Sequence, residues 1–128
     1  MARGHDRIAL GKKGESWAVS ELENKNYKIL ARNYRTRLGE IDIIAKDKDT
    51  ICFIEVKTRS SDLRGLPAES VSFSKKRQIA KAALGYLKEN RLLDHKARFD
   101  VVSVDCSEGA PQIELLKDAF ELDSNFTY

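Results

Sequence analysis

Apolar residues recur at helical spacing in two stretches of the chain. The first spans residues 14–24, and its apolar face consists of Ala18, Val19 and Leu22. The second begins at Ser74, a residue type favoured at helix N-caps, and runs to about residue 90. Its apolar stripe consists of Ile79, Ala82, Ala83, Tyr86 and Leu87. The pattern therefore predicts two amphipathic helices, each with one face that packs on a sheet.

Shorter apolar runs between polar turns predict five strands. They are expected at residues 27–35, 39–46, 50–59, 99–104 and 113–116. A short polar turn, Asp47-Lys48-Asp49, joins the second strand to the third, and residues 60–73 are expected to form a loop. The element order is α-β-β-β-α-β-β. We predict an α/β fold, a mixed sheet flanked by helices, in which the helical crossover makes part of the sheet parallel.

The length of 128 residues fits one domain. We expect a single domain over residues 11–120, a flexible N-terminal tail at 1–10 and a frayed acidic C-terminal tail at 121–128. The sequence has no apolar run of the roughly 20 residues that a membrane span needs, and no signal-peptide pattern. Two cysteines cannot form a disulfide framework, and two histidines are too few for a usual zinc site. These features predict a cytoplasmic protein with no membrane partner.

The net charge of +3 conceals an uneven distribution of charged residues. Residues 1–37 and 61–98 each carry +5, residues 38–60 carry −1, and residues 99–128 carry −6. Two basic segments thus flank a central segment rich in acids, as in a polyanion-binding protein with a carboxylate site between basic arms. A solvated surface of mixed charge has the same composition, so charge alone leaves both interpretations open.

The central segment places acids on two neighbouring strands. Because side chains alternate between faces, Glu40 and Asp42 share a face of the second strand. On the third strand, Glu55 and Lys57 share a face in the same way. If the turn is a two-residue hairpin at Lys48-Asp49, Asp42 lies opposite Glu55 at a Cβ separation of about 5 Å, where like charges destabilise a sheet. A divalent cation would hold the pair together, because carboxylate oxygens are the ligands that Mg²⁺ accepts.

Both faces of these strands are apolar, which predicts that the acids lie in a partly buried cleft. One face carries Ile41, Ile43, Ile54 and Val56, and the face of the acids also carries Ile44 and Phe53. Glu15 lies on the apolar stripe of the first helix, where a solvated glutamate does not belong. Glu15, Asp42 and Glu55 are therefore our candidate metal ligands. The alternative is a sheet with one wet face, on which these acids simply meet water.

Lys57 adds a cation about 6.7 Å from Glu55 along the same face. This combination suits attack on a phosphodiester. The acids would bind a metal ion, the metal ion would lower the pKa of its bound water, and the lysine would orient the nucleophile. A lone Glu-x-Lys is common by chance. An aspartate on the preceding apolar strand and an inward glutamate on a helix make the pattern more specific. We interpret Asp42, Glu55 and Lys57 as candidate catalytic residues.

Two segments resemble the signature of the YraN family of small bacterial proteins: Gly39-Glu40-Ile41-Asp42-Ile43-Ile44-Ala45 and Phe53-Ile54-Glu55-Val56-Lys57-Thr58-Arg59. The family is similar to the restriction-endonuclease-like PD-(D/E)XK superfamily, and especially to archaeal Holliday-junction resolvases. The resemblance implies an αβββαβ core and phosphodiester cleavage that depends on Mg²⁺ or Mn²⁺. By position, Asp42 matches the motif aspartate and Glu55 and Lys57 match its E-x-K pair. Glu15 matches the helix-borne acid, whereas Ile41 stands where the motif has proline.

The second predicted helix opens with Ser74-Lys75-Lys76-Arg77-Gln78, which puts three cations where the helix dipole favours anions. A bound phosphate would satisfy these cations and the free N–H groups of the first turn. The alternative is that the side chains extend into solvent at little cost. We predict that the backbone of a nucleic acid is contacted by Arg35, Arg37, Arg59, Lys75, Lys76, Arg77 and Gln78.

Three functions compete on these grounds. The first is a Mg²⁺-dependent endonuclease that hydrolyses phosphodiester bonds in DNA, with branched DNA as one substrate. The second is a nucleic-acid-binding module with a vestigial site, and the third is an interaction protein whose acidic C-terminus docks a basic partner. The resemblance also implies a homodimer, which would place two sites on one junction.

Overall fold

A computed structural model of the chain describes the backbone of residues 4–59 and 71–120, and the side chains of residues 11–59 and 71–120. Its elements are α1 (Gly4–Asn24), β1 (Lys28–Arg35), β2 (Glu40–Asp47), β3 (Thr50–Arg59), α2 (Phe73–Glu89), β4 (Lys96–Asp105) and β5 (Gln112–Phe120). This order confirms the predicted α/β fold and is consistent with a restriction-endonuclease-like core. Neither helix within the described ranges is long and apolar enough to cross a membrane.

The five strands form one mixed sheet in the order β1-β2-β3-β4-β5. β3 and β4 pair in parallel, as the helical crossover through α2 predicts, and the other neighbouring strands are antiparallel. The hairpin of β2 and β3 has the predicted register, with Ile44 opposite Phe53 and Asp47 opposite Thr50. Lys48 makes this tight turn possible by adopting a φ of 57°.

Apolar side chains cover both faces of the sheet, as the sequence predicted. On one face, Ile44 and Phe53 pack against Ile79 of α2. On the other face, Ile43 and Ile54 pack with Ala18, Leu22 and Val102, so that this face is covered by α1. The central strands are thus buried on both sides, and an acid in them has little access to water.

The predicted placement of Ile41 was wrong. The sequence put Ile41 on the face of Ile43, whereas the structure packs it with Ile44 on the α2 face. β1 and β2 pair through Tyr34–Ile41 and Arg32–Ile43, and between these pairs Asn33 has a φ of 51°. A left-handed residue of this kind breaks the simple alternation of a strand. The break lies beside Asp42.

Both helices begin earlier than predicted. α1 begins at Gly4, so residues 4–10 continue the helix instead of forming the expected tail. Once the first turn of a helix exists, each added residue contributes a hydrogen bond, which favours such extension. The N-cap of α2 is Ser72 and not Ser74, because the Ser72 hydroxyl accepts a hydrogen bond from the Lys75 N–H at 3.1 Å. Most of the predicted loop, and the predicted C-terminal tail at 121–128, lie outside the described residues.

Candidate active site

Asp42 lies where β2 and β3 separate. The antiparallel pairs of these strands run from Asp47–Thr50 to Ile43–Ile54. Asp42 precedes Ile43 and so lies just beyond the last of these pairs. Its Oδ2 accepts a hydrogen bond from the Val56 N–H at 2.8 Å. The carboxylate thus takes the place of a backbone carbonyl, and this contact holds it against β3.

Glu55 is buried beside Asp42, with only 5% of its surface exposed. Burial raises the pKa of Glu55, and the hydrogen bond to Asp42 and the Asp42 charge raise it further, to about 8. At neutral pH the protonated Glu55 carboxyl therefore donates a hydrogen bond to the Asp42 carboxylate. The structure brings together the two acids that the hairpin register places opposite each other.

Two lysines approach the same oxygen of Glu55. Lys57 on β3 places its Nζ 3.9 Å from Oε2 of Glu55, and Lys75 on α2 places its Nζ 3.6 Å from that oxygen. Their charges oppose the rise in the pKa of Glu55 but do not cancel it. The sequence suggested Lys57 for this site and assigned Lys75 to phosphate contacts. Lys75 lies in the first turn of α2, whose N-cap is Ser72 rather than Ser74.

Glu15 approaches Asp42 from the opposite helix, α1. It is partly buried; burial and the Asp42 charge raise the pKa of its carboxyl, and a hydrogen bond with Asn33 opposes the rise. The preceding residue, Gly14, permits this approach, because a Cβ there would overlap the Thr58 hydroxyl on β3. The close contact of Gly14 with β3 shows that this glycine seats the helix turn that carries Glu15.

The carboxyl groups of Glu15, Asp42 and Glu55 are the predicted ligands of a divalent cation. In the part of the chain that the structure describes, no three Asp, Glu, His or Cys side chains form a group that could hold a metal ion as they stand. Asp42 is the electrostatic neighbour of both Glu15 and Glu55. Asp42 and Glu55 share a proton, and a divalent cation that replaced this proton would remove their repulsion. Asp42 and Glu55 are therefore the two acids that such a cation would have to use as ligands, with Glu15 as the acid beside Asp42.

The residues predicted to bind nucleic acid divide among several places. Arg35 forms an exposed ion pair with Glu40 at 3.5 Å, and Lys76 lies 5.5 Å from the centre of the Phe120 ring. Arg59 ends β3 and pairs in register with Asp105 on β4. All three stay predicted phosphate contacts.

Three others, Arg37, Arg77 and Gln78, come together in a groove between α2 and the turn that joins β1 to β2. We call it the α2 groove, and its lining consists of Arg37, Leu38, Phe73, Ser74, Arg77, Gln78 and Lys81. The sequence predicted Arg37, Arg77 and Gln78 but missed Leu38, Phe73 and Lys81. Placing the N-cap at Ser72 would have revealed that Phe73, Arg77 and Lys81 share one helix face at intervals of four.

A second group of buried charges was also missed. Arg98 on β4 donates from its Nε to both carboxylate oxygens of Asp100, each at 3.0 Å. Its guanidinium also donates to the Tyr27 hydroxyl at 2.8 Å and to Asp47 at 3.1 Å. The sequence carries a signal for this group, since Arg98 and Asp100 stand two apart on one face of a strand and are followed on that face by Val102 and Val104.

The sequence was compared with protein families and curated relatives. Residues 14–104 match the uncharacterised protein family UPF0102, which is the YraN family suggested by the motifs. A UPF0102 protein of Geobacter metallireducens is 56% identical over 114 residues, which covers 89% of this chain and 93% of the relative. One from Syntrophus aciditrophicus is 54% identical over 115 residues, covering 90% of this chain and 91% of that protein. One from Geobacter sulfurreducens is 47% identical over 119 residues and covers 92% of each chain.

Proposed function

This chain belongs to the uncharacterised protein family UPF0102, and we propose that it is a Mg²⁺-dependent nuclease that hydrolyses phosphodiester bonds in DNA, branched DNA included. The observation that carries the proposal is the contact of Asp42 with the buried Glu55, with Lys57 and Lys75 both within 4 Å of one Glu55 oxygen. A fold has no stabilising use for two acids that share a proton, whereas strongly shifted pKa values of this kind cluster at functional sites.

Asp42 and Glu55 would hold the metal ion, and Glu15 lies beside Asp42 to support it. Mg²⁺ or Mn²⁺ bound there would lower the pKa of water and neutralise charge on a phosphate. Asp42 is well suited to this role because its contact with the Val56 N–H holds the carboxylate in place at 2.8 Å.

Lys57 and Lys75 supply the positive charge that faces the scissile phosphate. Lys57 is carried by a central strand, so it is positioned to orient a water molecule and to stabilise charge on the phosphate oxygens. Lys75 lies in the first turn of α2, where the helix dipole adds to its charge. Because both ammonium groups are about one-third exposed, they can exchange the Glu55 carboxyl for a phosphate.

The experiment is a cleavage assay on linear, flapped and branched DNA with Mg²⁺ or Mn²⁺. We expect the wild-type protein to cut at least one of these substrates. We expect Asp42→Asn, Glu55→Gln and Lys57→Ala each to lower the rate by about 100-fold or more. Asp49→Asn is the matched control, because Asp49 is an exposed acid in the β2–β3 turn that pairs with Lys96 at 3.4 Å.

Metal binding provides a readout that does not depend on activity. Calorimetric titration with Mn²⁺ should show one site in the wild-type protein, weakened about tenfold or more in Asp42→Asn. Equal inertness of the wild-type protein and Asp42→Asn on every substrate, without Mn²⁺ binding to either, would contradict the proposal.

A second candidate is a nucleic-acid-binding module without catalysis. It is favoured by the absence of a preformed group of three metal-binding side chains among the described residues. This candidate predicts DNA binding that weakens steeply with salt and no cutting with either metal. The same assays therefore decide between the two functions.

A further inference from the structure

The α2 groove places large apolar side chains in water next to cations. Among the residues that the structure describes, the exposed large hydrophobic residues are Leu38, Phe73 and Leu93, and the first two line this groove. Phe73 is the first residue of α2 and is 67% exposed to solvent. Exposed apolar surface of this kind, rimmed by polar residues, marks an interaction site more often than chance.

The charge of the groove indicates what it binds. Among the described residues, its lining contains three cationic side chains, Arg37, Arg77 and Lys81, and no acidic one. Phe73 and Arg77 stand four residues apart and therefore lie next to each other on one helix face. An aromatic ring beside arginines suits a stacked base whose flanking phosphates contact the cations. A basic or neutral protein partner would gain nothing from the three charges.

The shape of the groove follows from a close contact between two elements. A Cβ on Gly39 would lie 2.6 Å from the backbone oxygen of Gln78, so the glycine lets the β1–β2 turn rest directly on α2. The Thr36 hydroxyl accepts hydrogen bonds from the N–H groups of Leu38 and Gly39 at 3.0 and 3.1 Å, which fixes the turn. Leu38 and Arg37 are therefore held opposite Phe73 and Arg77 before any ligand arrives.

The groove adjoins the acids through α2 itself. Lys75, two residues from both Phe73 and Arg77, faces Glu55 on the other side of the helix. We propose that the α2 groove binds an unpaired nucleotide, with the base stacked on Phe73 and its phosphates on Arg37 and Arg77. The preferred substrate is then DNA with a single-stranded segment next to a duplex. This inference rests on the proposed action on DNA and names the substrate class of that site.

The test compares binding of the full chain to a blunt duplex with binding to the same duplex carrying a single-stranded overhang, without divalent metal. We expect the wild-type protein to prefer the overhang. Phe73→Ala should weaken binding of the overhang substrate about 5- to 100-fold and affect the blunt duplex much less, whereas Phe73→Tyr should keep the preference. Arg77→Ala should weaken both substrates and reduce the salt dependence by about one counterion.

A 2-aminopurine in the overhang reports stacking directly. Its fluorescence should fall on binding to the wild-type protein and to Phe73→Tyr, but not on binding to Phe73→Ala. Leu93→Ala is the matched control, since Leu93 is also exposed but lies in the turn between α2 and β4. All of these variants change exposed side chains, and circular dichroism would verify that they fold.

Two results would overturn the inference: an overhang preference that Phe73→Ala leaves intact, or a wild-type protein that binds none of the DNAs. The second result would point to a protein partner for the groove. If the wild-type protein cleaves DNA with metal and Phe73→Ala still prefers the overhang, only the inference about the α2 groove is refuted. If the overhang preference depends on Phe73 but no DNA is cleaved, the inference is supported and the proposed nuclease is refuted.

Discussion

Two regions of the molecule use an aspartate side chain to satisfy a backbone N–H group of the sheet. In the site, Asp42 accepts a hydrogen bond from the Val56 N–H at 2.8 Å, just past the last pair of β2 and β3. In the second region, Asp100 accepts one from the Asp118 N–H at 2.9 Å, where the register of β4 and β5 shifts. Each carboxylate thus satisfies a backbone donor at an irregularity of the sheet.

The two regions differ in how the buried charge is compensated. Arg98 contacts Asp100 through two hydrogen bonds. Burial alone would lower the pKa of the Arg98 guanidinium, but the contacts with Asp100 outweigh it and raise this pKa. Asp42 has instead a second acid beside it, and the pKa of Glu55 rises through burial and that contact. The first arrangement pairs its carboxylate with a cation, whereas the second pairs it with a protonated acid and leaves two lysine Nζ atoms 3.6 and 3.9 Å from Glu55.

This difference indicates which region serves the fold and which serves chemistry. A carboxylate whose two oxygens both accept hydrogen bonds from an arginine has no oxygen left free for a ligand. Two carboxyls that share one proton can exchange it for a cation, and they destabilise the fold until they do.

The largest change in stability is expected from Arg98→Ala. Asp100 has no exposed surface, so loss of its partner leaves an uncompensated buried charge. We expect the free energy of unfolding to fall by about 3–5 kcal/mol, measured by chemical denaturation. Lys96→Ala is the control, because its ion pair with Asp49 joins side chains that are 76% and 72% exposed. It should cost about 1 kcal/mol or less, and an equal cost for both would contradict the comparison.

Gly14→Ala should have the next largest effect. Its Cβ would overlap the Thr58 hydroxyl and push α1 away from β3, which we expect to lower the free energy of unfolding by about 1–3 kcal/mol. Gly11 is in the same helix, and an added Cβ there meets nothing within 4 Å. Gly11→Ala should therefore raise stability by up to about 1 kcal/mol through helix propensity. Thermal denaturation of both variants would check the opposite signs.

Glu55→Gln should stabilise the protein, in contrast to Arg98→Ala. The amide keeps the shape and can still donate a hydrogen bond to Asp42, while no second negative charge can form beside that carboxylate. At pH 8 without metal, we expect the free energy of unfolding to rise by about 1–2 kcal/mol. A loss of more than about 1 kcal/mol in urea denaturation would show that Glu55 contributes to the fold as Arg98 does.

The gain from Glu55→Gln should shrink to its smallest value at acid pH. The pKa of Glu55 is higher in the folded protein, about 8, than its ordinary value of 4.5. Between these values the folded state binds more protons than the unfolded state, so this residue makes stability fall as pH rises. The difference between the wild-type protein and the variant should therefore grow from pH 5 to pH 8. If the difference in the free energy of unfolding between the two proteins stays constant across this window, the raised pKa of Glu55 is contradicted.

Much of the carboxylate site could be predicted because it depends on local pattern. The short turn around Lys48 fixes the register of the hairpin, and the register places Asp42 beside Glu55. The inward direction of Glu15 follows from helical periodicity in the same way. Ser72 was missed because Ser74 is an equally good cap by type, and only the hydrogen bond to the Lys75 N–H distinguishes them.

Local pattern is enough to predict the order of the elements, the parallel crossover and the juxtaposition of two acids, since these depend on apolar periodicity and turn length over a few residues. Only the tertiary structure brings Lys75 to Glu55 and makes Gly14 and Gly39 seat the helices against the sheet. These contacts join residues that are distant in sequence. Their distances are set by the packing of two helices on opposite faces of one sheet, which no local pattern encodes.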